Sequence, residues 1–291
     1  MRRDINKMAQ SNKPALNKNL DAIRKMIINH KRYDFAFAGL GMIVIASLTI
    51  TLLVLFLDLV IDGYPKFNLD FFSNFPSRRA ARAGILSAWI GSSLVLLVTF
   101  FVAVPLGIAS GIYLEEYAKK NWFSDLIEIN VSNLAGVPSI IYGLLALGLF
   151  VYSFGLGQSI LTAGLTLALL MLPIVIVSTR EAIRAIPVHI REAAYAVGAT
   201  KWQVCHNHVI QYSYGGILTG VIIGMARAIG ETAPVITIGA LTFIAFLPPS
   251  PIGLEPPFIN FDWLEAGFTV LPIQMFNWIS RPQHAFHINA A

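Results

Sequence analysis

Residues Arg191 to Gln203 read REAAYAVGATKWQ, a run of small and polar residues with one glycine between two helix signals. Pro187 suits the first turn of a helix, where its missing N–H was unpaired anyway. Glu192 follows on the side where the helix dipole favours an anion. Ala193 and Ala194 are strong helix formers with little bulk. Gly198 can take the left-handed conformation that ends a helix. Thr200 and Gln203 have the spacing of a capping box, in which each side chain takes an orphan N–H of the next helix. The pattern predicts helix, bend, helix over 187–207. Two readings of it are open: an ordinary interfacial loop helix, or a docking knob whose small residues let a partner approach closely.

The chain around this elbow is strongly apolar. Of 291 residues, 56% are hydrophobic and 13% are charged, against about 25% charged in a soluble domain. This is the composition of an integral membrane protein. The single cysteine, Cys205, excludes an internal disulfide and reads as a small packing residue. The first apolar run starts only at Phe35, after a long polar stretch. That order does not have the form of a secretory signal.

A span needs about 20 apolar residues to cross a core of about 30 Å. The expected spans are 35–60, 84–114, 129–152, 158–179 and 214–247, with the turn signal Tyr152 to Gln158 separating the third from the fourth. With the N-terminus inside, fifteen Lys and Arg fall on the inner side and five on the outer. This bias places the basic tail (1–33) and the elbow in the cytosol. The tail adjoins a span, so its charge reads as cytosolic retention and not as nucleic-acid binding. Beyond 247 the chain turns proline-rich and aromatic, and 248–291 is expected to be an extracytoplasmic tail, part of it lying at the lipid interface.

The run EAAYAVGATKWQ resembles the EAA motif of ABC importer permeases, with Glu192, Ala193, Ala194 and Gly198 at the matching positions. The family's Ile-x-Leu-Pro ending is replaced here by His208-Val209-Ile210-Gln211. VPLGIASGIYLEEYA (104–118), GVPSIIYGL (136–144), RAIGETAPV (227–235) and FTVLPIQMFNWISRPQ (268–283) resemble the phosphate-specific branch of these permeases, and the likeness covers roughly 70–285. The resemblance implies an all-α, type I importer permease fold. It also implies that Glu192, Ala193, Ala194, Gly198 and Thr200 couple to an ATPase. The implied partners are a homologous second permease subunit, an ATPase dimer and an extracytoplasmic phosphate-binding protein, besides membrane lipid. It leads one to expect a sixth span after residue 285, which this sequence does not contain. Sulfate and molybdate permeases carry an elbow too, so the elbow leaves the choice of oxyanion open, and the missing sixth span leaves a truncated, non-transporting membrane subunit as a further alternative.

No cofactor is expected on this chain. GATKW does not fit a phosphate-binding loop, so ATP and Mg²⁺ are expected on the partner ATPase. The absence of His-Glu-x-x-His and Gly-x-Ser-x-Gly argues against an intramembrane enzyme, and His206 and His208, two apart, make a poor metal site. In the fifth span, Gly216, Gly220, Gly224, Arg227 and Glu231 fall within an arc of roughly 80°. The glycines permit close helix contact, so the charges should face protein or a water-filled path. Arg227 and Glu231 read either as a structural ion pair or as a pathway site, with Pro234 as a hinge or gate beside it. Glu115 and Glu116, after the second span, read as a solvated helix end.

Overall fold

A computed structural model describes residues 13–119, 121–252 and 258–291. Arg2, Arg3, Lys7, Pro256 and Pro257 lie outside the described residues. The chain divides after Tyr64 into two units. The first is one helix, α1 (Lys13–Gly63), whose stretch from Tyr33 is apolar and long enough to cross a membrane. The helix begins some twenty residues before the first apolar run. Lys, Arg and Leu are good helix formers, so the end of hydrophobicity does not end the helix.

The second unit, residues 65–291, is a helical bundle. After the short α2 (Leu69–Ser73), α3 (Leu86–Ile112) continues through a π-helical turn, Tyr113–Tyr117. Then come α4 (Trp122–Leu134), α5 (Ser139–Ala146) with a π-helical extension to Ser153, and α6 (Ile160–Arg184). The elbow is α7 (Val188–Ala196) and α8 (Lys201–Val204), which runs through another π turn into α9 (Ile210–Gly230). The shorter α10 (Ala233–Thr237), α11 (Leu271–Ile279) and α12 (His284–Ala290) complete it.

Two expected spans are broken. The third is a pair of helices, α4 and α5, bent by 105°. The fifth stops at Gly230 and does not reach residue 247. The cause is the same in both. A proline ring clashes with the carbonyl four residues back and removes a donor. Leu134, the last residue of α4, stands four before Pro138, and Gly230, the last of α9, stands four before Pro234. A glycine in each gap, Gly136 and Gly230, lowers the barrier to leaving the helix. Pro105 and Pro173 have no glycine in the preceding four residues and stay inside α3 and α6. Helix α6 also runs beyond residue 179 to Arg184, because the charges at its end find ionic partners.

Helix α6 is the centre of the bundle, gripped from two sides through small residues. A Cβ on Gly107 would lie 2.7 Å from Val175 Cγ1, one on Gly111 2.7 Å from Thr179 Cβ, and one on Gly164 would overlap Val98. These pairs ascend together, so α3 and α6 are parallel. On the other side, a Cβ on Gly216 would lie 2.6 Å from Ala182 Cβ, one on Gly220 would overlap Ser178, and one on Gly224 would meet Met171 at 2.9 Å. These pairs descend, so α9 is antiparallel to α6. Parallel α3 and α6 require the chain between them to return through the bundle. The bent pair α4–α5 therefore makes one full crossing and is not a re-entrant loop.

Residues 263–290 of the expected extracytoplasmic tail instead pack into the bundle. Phe268, Val270, Ile273 and Trp278 are buried, and Phe268, Val270 and Ile273 join the main apolar cluster with Val95, Leu167 and Val235. Its backbone is tied in. Ile160 N donates to Ala266 O (3.1 Å), Leu241 N to Phe268 O (3.0 Å), and Leu271 N to Ser92 Oγ (2.8 Å). Gly91 leaves room for the Thr269 carbonyl. The proline content of 248–257 hid this return, because the buried aromatic segment lies after it. Overpacking a tight helix contact costs about 1–3 kcal/mol. Gly220→Leu is therefore expected to lower the midpoint of thermal unfolding in detergent, whereas Gly215→Leu on the open face, with nothing near its Cβ position, is expected to leave it unchanged.

Candidate functional site

The elbow is held by local chemistry. Gly198 has φ of +82°, so the chain reverses there in a conformation that side chains resist. Thr200 N donates to Gln203 Oε1 (2.8 Å) and Gln203 N to Thr200 Oγ1 (3.4 Å), which closes the capping box at the start of α8. Beneath the elbow, Ala194 packs with Ile183, Ile186, Val204 and Val209. Ala194 thus faces inward, unlike Glu192, Ala193, Gly198 and Thr200, which are exposed. The outer surface also carries large apolar side chains that the sequence reading passed over: Val197, 85% exposed, Trp202, 66% exposed, and Tyr195. Trp202 stacks on His206 at 5.7 Å, and His206 and His208 fall in the π turn that follows α8.

Glu115 and Glu116 are not a solvated helix end. Glu115 Oε2 pairs with Arg184 Nε (2.9 Å) and Arg180 Nε (3.4 Å). Glu128, on α4, pairs with Arg180 Nη2 (2.7 Å) and Arg184 Nη2 (3.0 Å). Two cations of α6 and two anions, from α3 and α4, make a closed quartet. Arg180 is buried, its side chain 7% exposed. Removing either carboxylate would leave the buried Arg180 with half of its counter-charge. Glu116 turns to the elbow and pairs with Arg191. The partners lie 52 (180 − 128) to 75 residues apart in sequence, so spacing gave no sign of them.

At the far end of α9, Arg227 Nε meets Glu231 Oε1 at 3.1 Å, with the side chains 40% and 17% exposed. Glu231 is already outside the helix, its backbone extended at φ −78°, ψ 121°. It lines a narrow crevice with Ser92, Leu167, Ala228, Val235 and Val270. Pro234 is buried in α10, and the position of a Cβ on Gly143 would be 2.7 Å from Pro234 Cα. The break between α9 and α10 is therefore braced by α5. The structure brings together Arg227, Glu231 and Pro234 at this end of α9, and Glu192, Ala193, Ala194, Gly198 and Thr200 at the other.

A family of proteins described as the binding-protein-dependent transport system inner membrane component matches residues 103–271. The chain belongs to this family. The match spans both ends of α9, the elbow and the quartet. The chain is 30% identical over 249 residues to a probable ABC transporter permease protein, YqgI, of Bacillus subtilis (strain 168), covering 86% of this chain and 80% of that one. It is 36% identical over 202 residues to the phosphate transport system permease protein PstA of Mycobacterium leprae (strain TN), covering 69% of this chain and 62% of the relative. With the PstA of Haemophilus influenzae (strain ATCC 51907 / DSM 11121 / KW20 / Rd) it shares 32% over 216 residues, 72% and 74% of the two chains. The matched stretch is thus about three fifths of the mycobacterial relative's length. The protein is a multi-pass membrane component of a transport system.

No atom stands within 4 Å of a Cβ built on Gly198, so the cost of a side chain there is conformational alone. A strained backbone of this kind costs of order 1–3 kcal/mol. Gly198→Val should accordingly speed amide exchange in α7 and α8, and Gly198→Asn, which tolerates positive φ, should speed it less. Equal protection in Gly198→Val and the parent would refute this account of the bend.

Proposed function

We propose that this chain is the permease subunit of an ATP-driven importer that moves inorganic phosphate across the cytoplasmic membrane, with its N-terminus and elbow in the cytosol. The observation that carries the reading is the elbow itself: a preformed bend, tied to the bundle beneath and presenting small and apolar side chains outward. Such a surface fits a partner groove by shape. The positive-inside bias supports the cytosolic side for it. The partners are an ATPase dimer seated on the elbow, a homologous permease subunit and an extracytoplasmic phosphate-binding protein, with ATP and Mg²⁺ held by the ATPase. Glu192, Ala193, Gly198 and Thr200 form the contact, and Ala194 supports it from below.

The names of the mycobacterial and Haemophilus relatives support phosphate as the solute, and the partly exposed guanidinium of Arg227, paired with the Glu231 that lines the crevice, supports an anion. Arg227 draws an oxyanion by charge and by its planar donors. Glu231, 3.1 Å away, competes for the same guanidinium. A carrier needs that competition, since a site that binds too tightly does not release. The bracing of Pro234 against Gly143 makes the break beside it a defined joint between α9 and α10, a suitable place for a gate.

The test is labelled phosphate uptake at micromolar supply in cells that lack their own subunit, with sulfate uptake as control. Restoring this chain should rescue phosphate and not sulfate uptake. Arg227→Gln should lower uptake by about tenfold or more, the usual scale for losing a charge-assisted contact. Sulfate-selective rescue would sink the phosphate assignment. Unchanged uptake in Arg227→Gln would reduce Arg227 and Glu231 to a structural pair.

A further inference from the structure

Both helices of the elbow hold the same turn of α3. That turn is Tyr113–Tyr117, the π-helical continuation of the helix. From α7, Arg191 reaches Glu116 Oε1 with Nε at 3.0 Å and Nη2 at 2.9 Å. The Glu116 side chain is only 9% exposed. The same guanidinium donates from Nη1 to Ile186 O and from Nη2 to Ile183 O, both at 3.0 Å. Those carbonyls belong to the C-terminal end of α6 and the residues just past it, where the helix dipole favours a cation. From α8, Lys201 Nζ stands 5.0 Å from the centre of the Tyr117 ring, within cation–π range. The neighbouring Glu115 faces away from the elbow, to Arg180 and Arg184 of α6.

Three consecutive side chains of one turn thus engage three different helices: Glu115 engages α6, Glu116 engages α7 and Tyr117 engages α8. π-helical turns insert an extra residue and are frequent where a helix does functional work. The Arg191 fork is planar and has donors enough to serve a carboxylate and two carbonyls at once. A displacement of α7 cannot leave α3 or the end of α6 behind without stranding a nearly buried carboxylate. The small residues of the elbow offer no comparable grip, since Ala193 and Gly198 are exposed and Ala194 makes only apolar contact.

We propose that Arg191 is a positioning residue for transport, which transmits movement of the elbow to α3 and α6 through Glu116 and the Ile183 and Ile186 carbonyls, with Lys201 on Tyr117 as the second hold. This rests on the permease reading above and assigns the joint by which its elbow drives the spans. It adds residues outside the contact surface for the ATPase.

The full complex in lipid vesicles, carrying Arg191→Gln, Arg191→Lys, Glu116→Gln or the double Arg191→Gln/Glu116→Gln, provides the test. The first readout is phosphate moved per ATP hydrolysed. Arg191→Gln and Glu116→Gln should each lower this ratio by about tenfold, the double should be no worse than either single, and Arg191→Lys should recover part of it. An unchanged ratio in Arg191→Gln overturns the proposal. So does a proportionate fall of hydrolysis and transport, which a merely structural role predicts. The second readout is amide exchange over 188–204 in the chain alone, expected to speed in Arg191→Gln. If the wild-type complex moves no phosphate, the permease reading fails on its own control, and the joint is then judged by exchange, where unchanged protection overturns it.

Discussion

Close contact along α6 is the constraint from which the bundle follows. In lipid there is no hydrophobic force to bring helices together, so packing and backbone proximity must do it. Helix α6 meets α3 through Gly107, Gly111 and Gly164, and α9 through Gly216, Gly220 and Gly224. The first seam fixes α3 parallel to α6, and this forces α4 and α5 to carry the chain back between them. The second fixes α9 antiparallel, which sets the elbow at one end of α6 and Arg227 at the other. The two candidate sites are therefore placed by one pair of seams, and a helix that slid along either seam would move both.

The ionic quartet sits at the elbow end of α3, α4 and α6. Its charges would be costly in hydrocarbon, and its four members neutralise one another in a closed pattern. Because Glu115 and Glu128 each serve both Arg180 and Arg184, the ends of α3, α4 and α6 behave as one block. Arg191 adds the elbow to this block. At the opposite end the described residues show one ion pair, Arg227 with Glu231, four residues apart. The α9–α10 break beside it rests on Gly143 against Pro234 and on a buried apolar return. The elbow end is thus tied by charge across three helices, and the far end chiefly by packing.

Much of this was legible in the chain. The apolar runs marked the membrane crossings because lipid imposes composition directly. The elbow was legible because Gly198, Thr200 and Gln203 act on their own neighbours. The glycine stripe announced a close contact, though not that Ala182, Ser178 and Met171 would fill it. What escaped were features decided by distant partners. Glu115 and Glu116 looked like a wet helix end because Arg180, Arg184 and Arg191 lie far along the chain. The helix breaks needed two residues read together. Proline alone, at 105 and 173, is absorbed by α3 and α6, while glycine with proline, at 136–138 and 230–234, ends α4 and α9.

The return of residues 259–279 into the bundle bears most directly on the crevice at Glu231. Irregular backbone within such a bundle is tolerated only where protein or a water-filled cavity satisfies its polar groups. Here protein does so: Ser92 Oγ accepts from Leu271 N, Ser87 Oγ donates to Ile244 O (3.1 Å), and Phe268 O accepts from Leu241 N. Ser92 and Val270 are also walls of the crevice that Glu231 enters. The same serine thus anchors the returning segment and lines the crevice. Opening the crevice on that side requires giving up the Ser92 bond to Leu271, and opening it on the α10 side requires giving up the Gly143–Pro234 contact and the burial of Val235.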